Sequence, residues 1–260
     1  MYSTLSVEVR DAVAFVTLNR PAAMNTLSLA MGKDLLQAAL TCESDPGVRA
    51  VVLTGSGRSF CAGGDLRDMQ DNGGNLHRYL HELTTHLHAA ISVWTRMDAP
   101  VIAAVNGTTA GAGVGLLAMA DLALAAQSAR ITLAYTGVGL TPDGGTTFFL
   151  PRLIGLKRTA ELLFTNRVLS AEEALQWGLV NQVFADTQLE TAAAGLAGKL
   201  AAGPAGAFGR AKRLLAASAG QLESQLALEA RSISLQGHSA EGREGISAFL
   251  DKRKPEYPAG

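Results

Sequence analysis

Across residues 101–121 the chain reads VIAAVNGTTAGAGVGLLAMAD, with Gly111, Gly113 and Gly115 at alternate positions. Glycine at that density forfeits backbone entropy, and a chain keeps it where its backbone must come close to something else. A β-type run, a Gly-rich turn and an apolar helix in succession leave the first N–H groups of that helix without internal acceptors. Such groups can face a negative atom. Residues 59–66, SFCAGGDL, have the same form after another β-type run. Two such turns, if they converge, hold one developing oxyanion between backbone amides. Tight turns with close helix packing are the other reading. Further on, Asp143 sits among glycines in LTPDGGTTFFLPRLIG. It reads either as an acid/base or as the N-cap of the helix beginning near Gly144 or Thr146. His77, His81, His86 and His88 share one helical stretch, which can carry them as plain polar surface, and no metal site is read from them. Cys42 and Cys61 form no metal or redox motif, and Cys61 reads as a small buried residue.

The elements that must position these groups alternate in type. Strands are expected over 5–9 and 13–18, around a turn at 10–12. Helical spacing covers 28–40, and VRAVVL over 48–53 is a buried strand. Residues 67–74 read as a loop or a frayed helix. A long helix over 76–97 turns Leu80, Leu83, Leu87, Ala90, Ile91 and Trp94 to one side until Asp98-Ala99-Pro100 stops it. Strand 101–105 follows, with a turn at Asn106-Gly107, then short strands near 121–125 and 130–133. A helix is expected to start near 147, another covers 156–163, and Ser170 with Glu173 makes a capping box for a helix closed by Gly178. Residues 179–184 return as a strand. From 189 on the pattern is nearly all helical, broken at Gly203-Pro204. The class is α/β with a C-terminal helical part.

The 260 residues suffice for one large domain, or a domain with an appendage. With 22 basic and 23 acidic residues the net charge is -1, so neither nucleic acid nor an anionic membrane is an expected partner. No charge-free apolar run reaches the length of a bilayer span. Glu8, Arg10 and Asp11 lie among β-type residues near the start, which is not the pattern of a signal peptide, and a cytoplasmic location is expected.

SFCAGGDL and AAVNGTTAGAGVGLLAMADLALA, with LPRLIG, TNRVLSAEEALQWGLVNQV and the closing FLDKRKPEY, resemble the enoyl-CoA hydratase/isomerase, or crotonase, family. The resemblance implies a spiral of repeated β-β-α units over residues 1–200 that binds acyl-CoA. Over 201–260 it implies a C-terminal helical region that builds trimers or dimers of trimers. It also implies an acyl-coenzyme A thioester as substrate, no cofactor beyond its coenzyme A moiety, and an enolate held by the amides of Gly64 and Ala112.

Hydratases of the family carry two glutamates, and the matching positions here are Gly115 and Tyr135. Asp143 matches the aspartate, in a Pro-Asp context, of the family's 1,2-epoxyphenylacetyl-CoA isomerase group. That implies a double-bond shift in an enoyl thioester with Asp143 as acid/base. Three alternatives stand beside it. One is a hydratase with displaced catalytic groups. Another is a 4-chlorobenzoyl-CoA dehalogenase-like hydrolase, in which Asp143 attacks an aromatic carbon, His88 activates water and Tyr135 replaces a tryptophan. The last is a non-catalytic acyl-CoA-binding protein. Ala62, Asp65, Leu66 and Gly111 are expected at the substrate by segment position. Leu66, Met69, Leu87, Trp94, Phe148 and Phe149 are acyl-pocket candidates, Trp94 and Phe149 equally as core. For coenzyme A, the usual basic residue of the second turn is matched by Ala22, leaving Arg20. Lys252 and Lys254, near Phe249, form a basic cluster that could reach the coenzyme of a neighbouring subunit.

Overall fold

The computed structural model describes residues 2–72 and 75–217, together with 240, 244, 253, 254 and 256. The chain opens on a hairpin of β1 (Leu5–Arg10) and β2 (Val13–Leu18). Its two turn residues, Asp11 and Ala12, both have positive φ, the geometry whose twist suits paired strands. Ser28 then starts α1 (Leu29–Ser44), its hydroxyl accepting from the Met31 amide at 3.2 Å. The helix returns the chain to β3 (Ala50–Gly55), which lies parallel to β2.

Three times from here a longer strand is followed by a short one. β3 leads to β4 (Ser59–Cys61), β5 (Val101–Val105) to β6 (Thr108–Ala110), and β7 (Leu122–Ala126) to β8 (Arg130–Thr132). The first pair is followed by α2 (Leu66–Asp71) and α3 (Leu76–Arg96), and the second by α4 (Ala112–Ala118). The third leads to α5 (Thr146–Leu153) and α6 (Leu156–Thr165). β9 (Leu169–Ser170), α7 (Ala171–Trp177), β10 (Gln182–Phe184), α8 (Leu189–Ala201) and α9 (Ala205–Ala217) complete the described elements. The longer strands form a sheet ordered β1-β2-β3-β5-β7-β10, parallel beyond its first pair, and the short strands a second sheet ordered β4-β6-β8-β9. This is the expected spiral of β-β-α units.

Burial explains the arrangement. All five residues of β5 are buried, as a central parallel strand covered on both faces demands. One face carries the main core, with Leu35, Leu53, Phe60, Trp94 and Leu116 sealed from solvent. The other carries Val13, Val52, Ile102 and Leu124 against α8, which meets them with Ala193, Ala197 and Ala201. Truncating a leucine in such a core to alanine costs about 2–5 kcal/mol.

The structure corrects several boundaries. β4 and β6 stand within stretches read as turns, because three residues carry no visible alternation. Of the two readings for residues 67–74, a loop or a frayed helix, the structure has a helix over Leu66–Asp71, capped by Asp65. The strand expected over 179–184 begins only at Gln182, since the amides of Leu179 and Val180 bond back to the Ala174 carbonyl of α7. The capping box of Ser170 and Glu173 is present, and Gly178 closes α7 with φ 80°. Of the helical region expected over 201–260, α9 is seen, and most of the remainder lies outside the described residues. Among the described residues no helix is long and apolar enough to cross a membrane.

Candidate active site

Two Gly-rich turns meet at the ends of β4 and β6. Gly63 has φ 90° and Gly111 φ 49°, backbone states that a side chain resists. A Cβ on Gly111 would lie 3.4 Å from the Gly63 Cα, so the turns stack backbone on backbone. The glycines that follow fix the helix behind them. A Cβ at Gly113 would sit 2.2 Å from the Cys61 carbonyl oxygen, and one at Gly115 would sit 2.3 Å from that of Gly144. α4 therefore packs its first two turns directly onto β4 and onto the segment before α5, and all seven of its residues are buried.

The first turn is anchored from the opposite side. Leu27 donates its amide to the Gly63 carbonyl at 2.7 Å, and Asp65 donates to the Leu27 carbonyl at 3.0 Å. The Asp65 carboxylate caps α2 through the amides of Arg67 and Asp68. It also accepts from Arg20 at 2.9 Å and from the Thr26 hydroxyl at 3.0 Å. Burial works to raise its pKa, but these hydrogen bonds outweigh burial and hold it below the ordinary carboxylate range. Arg20 also donates to the Thr26 carbonyl at 2.6 Å. Arg20 and Asp65, expected at the substrate, thus face each other behind the turn, and neither lines the cavity in front of it.

That cavity holds about 390 Å³. Ala62, Gly64, Leu66, Gly111, Ala112 and Asp143 lie on its wall together. The amides of Gly64 and Ala112 donate to no acceptor among the described residues, and for Ala112 this is the orphan donor of a helix start. Leu80, Leu83 and Leu87 of α3 supply much of the apolar lining, with Leu133 and Leu140 opposite. Leu66, Met69 and Leu87 were named as acyl-pocket candidates and line this cavity, whereas Leu80 and Leu83 were read only as part of a buried helix face, though their period was the available signal. Leu27, Leu133, Val138 and Leu140, also on the wall, gave none.

Asp143 is not a helix cap. α5 starts after Gly145, and Asp143 offers Thr146 only its backbone carbonyl, to the amide at 3.1 Å and the hydroxyl at 2.9 Å. Its carboxylate Oδ1 accepts from the Tyr135 hydroxyl at 2.5 Å, the length of a strong charge-assisted bond. Burial, and then the Asp143 charge, push the Tyr135 phenol far above its ordinary range, so it remains a donor. Oδ2 has no partner among the described residues. Sequence reasoning named both positions but missed this bond, which spans eight residues of irregular chain.

His88 reaches the same turn from α3. Its Nε2 accepts from the Gly144 amide at 3.1 Å. The ring lines a neighbouring cleft rather than the cavity, whereas His81 is on the cavity wall, so the two histidines do not converge. Phe148 also lies in that cleft, 3.8 Å beneath the Arg152 guanidinium and edge-on to Phe149, away from the expected acyl pocket. Trp94 is wholly core. Cys61 is buried and its thiol is pushed up to about 12 by that burial, which suits packing and not attack. Lys254 is exposed, Arg253 pairs with Glu244 at 2.6 Å, and Lys252 lies outside the described residues.

Two uncommitted amides, one free carboxylate oxygen and an apolar wall can together hold an oxyanion and move a proton beside it. Comparison with known proteins agrees in kind. A family model described as Enoyl-CoA hydratase/isomerase matches residues 8–259. The Rhodobacter capsulatus protein named "Probable enoyl-CoA hydratase" is 42% identical over 98% of both chains. The 1,2-epoxyphenylacetyl-CoA isomerase of Escherichia coli is 38% identical over 96% of both. Among solved structures, an enoyl-CoA hydratase from Polaromonas sp. JS666 superimposes with TM-score 0.94 at 34% identity, over 98% of this chain and all of that one.

Proposed function

This chain belongs to the enoyl-CoA hydratase/isomerase family, and from that premise we propose that it shifts a carbon–carbon double bond in an enoyl-coenzyme A thioester. Asp143 Oδ2 takes a proton from the carbon next to the thioester carbonyl of a 3-enoyl substrate. The electron pair moves onto the carbonyl oxygen, and the dienolate is held by the N–H groups of Gly64 and Ala112. The same oxygen then returns the proton two carbons along, leaving the 2-enoyl thioester. The amides act where the charge develops, and removing one such donor typically costs about 3–4 kcal/mol of barrier. The reaction needs no group beyond the substrate's own coenzyme A. Assembly as a trimer or a dimer of trimers belongs to the same proposal.

One observation carries this reading. A single carboxylate with a free oxygen shares the cavity with both unpaired amides, while the two positions at which the family's hydratases hold glutamates are otherwise engaged. Gly115 has the Gly144 carbonyl where a side chain would start, and the Tyr135 hydroxyl is bound to Asp143. Hydration needs a base for water as well as an acid for the α-carbon, and these positions supply neither. In the halide-displacing alternative His88 must take a proton from water, but its Nε2 already accepts from Gly144. Non-catalytic binding leaves the free oxygen of Asp143 without a task.

The test is to give the protein 3-enoyl-CoA and 2-enoyl-CoA separately and identify the products. Isomerisation converts the first to the 2-enoyl thioester with no 3-hydroxyacyl product from either. Accumulation of 3-hydroxyacyl-CoA supports hydration instead, and halide release from 4-chlorobenzoyl-CoA supports displacement.

A further inference from the structure

The turn that carries Asp143 is built from pliable backbone. Gly144 and Gly145 follow it in succession, with φ of 59° and 74°, and neither has a Cβ to limit its motion. External contacts must therefore hold the turn. The Gly144 carbonyl rests against Gly115, and Tyr135 holds one carboxylate oxygen. On the remaining side, the Gly144 amide donates to His88 Nε2. Gly144 is buried, and a buried amide without an acceptor is costly enough that the chain rearranges to find one. The carbonyl of the same peptide accepts from the Thr146 amide and hydroxyl, which resist its simple rotation, so the amide finds a new acceptor by a shift of the Asp143–Gly144 backbone that moves the Cα carrying the carboxylate.

We infer that His88 is a positioning residue, whose Nε2 lone pair fixes the Gly144 peptide and so aims Asp143 Oδ2 at the substrate carbons. This rests on the reading of Asp143 as the acid/base. His88 reacts with nothing itself. What it supplies is an acceptor at one point, delivered by a ring on the rigid helix α3. A side chain that fills the space but offers no lone pair does not replace it, and a cation adds a second donor to face the first.

The full-length protein carrying His88→Gln, His88→Leu or His88→Lys tests this, with kcat and KM for 3-enoyl-CoA isomerisation and the melting temperature of each. Gln brings a carbonyl acceptor and is expected to keep most of kcat. Leu and Lys are expected to lose about 100-fold in kcat, the scale of a misplaced reacting group, with KM little changed. Leu equal to Gln, with both active, overturns the inference, because then no acceptor is needed. Gln as inactive as Leu overturns it too, because then the imidazole does something that an amide cannot. If Leu fails to fold, the contrast of Gln with Lys decides in the same way. Asp143→Asn is measured alongside. Full activity there removes the acid/base reading itself, whereas an inactive Asp143→Asn with a flat His88 series removes only the role of His88.

Discussion

The Tyr135 hydroxyl occupies one oxygen of Asp143, a residue of the cavity wall, and the other oxygen has no partner among the described residues. Because burial keeps the phenol protonated, the pair cannot exchange roles, and in the proposed reaction Tyr135 orients while Asp143 reacts. Tyr135→Phe keeps the ring and removes the donor. Losing one hydrogen bond to a charged group is worth about 1.5–3 kcal/mol, so kcat is expected to fall roughly 10- to 100-fold with KM little changed, and steady-state kinetics check it. An unchanged kcat would mean that the bond does not aim the carboxylate. At this scale the sequence was partly legible. The small residues of the two turns and the lone acid after Pro142 stood out by type and spacing. The contacts that give them meaning did not. Nothing in a string of residues tells that Gly115 is glycine because the Gly144 carbonyl lies 2.3 Å from where its Cβ would be, or that Arg20 turns inward to Asp65 instead of outward to a phosphate.

The elements hold these residues through their starts and close approaches. α4 presents its first amide to the cavity because Gly113 and Gly115 let it lie on neighbouring backbone. Gly115→Glu, which restores a hydratase carboxylate in sequence, is therefore expected to lower the melting temperature and abolish turnover, and not to create hydration. Appearance of 3-hydroxyacyl-CoA from that variant would contradict this packing. α2 depends on Asp65, whose folded pKa lies below its unfolded value of about 3.9. Its contribution is thus fully present above the unfolded pKa and is lost as pH falls through the folded one. Asp65→Asn is expected to cost about 2–3 kcal/mol at neutral pH, and less as the pH drops below 4, as seen in denaturant midpoints across pH. A constant difference down to the acid limit would assign the cost to packing. The long periodic helix α3 and the continuous apolar run of β5 were readable in advance. β4 and β6 were not, because elements of three residues are set by what lies next to them, and α2 was left between a loop and a frayed helix.

For the molecule as a whole, the described start of the C-terminal part is fastened to the core by Lys212 and by the ion pair of Arg213 with Asp98. Lys212 on α9 reaches the Asp121 carboxylate and the Trp94 carbonyl, each at 2.6 Å, with only 8% of its side chain exposed. Burial lowers its pKa and Asp121 works against that. Without the lysine, Asp121 keeps the Val101 amide and some solvent, so Lys212→Ala is expected to cost about 1.5–3 kcal/mol, the worth of its charged hydrogen bonds, and to lower the melting temperature, with isomerisation below that temperature retained. Loss of turnover without loss of stability would show that α9 takes part in the site. The α/β class was legible because it follows from the order and length of the elements, whereas the spiral of repeated units came from the family resemblance. The meeting of Tyr135, Asp143 and His88 at one turn was not, since it depends on how separate segments of the chain pack. The central claim is that one acid side chain, beside two amides, performs both proton transfers. Its most direct test is the rate of 3-enoyl-CoA isomerisation by Asp143→Asn against the unaltered protein, with melting measured in parallel. The account predicts a loss of about 10²–10⁴-fold in kcat at an unchanged melting temperature. Full activity in a folded Asp143→Asn variant would contradict it.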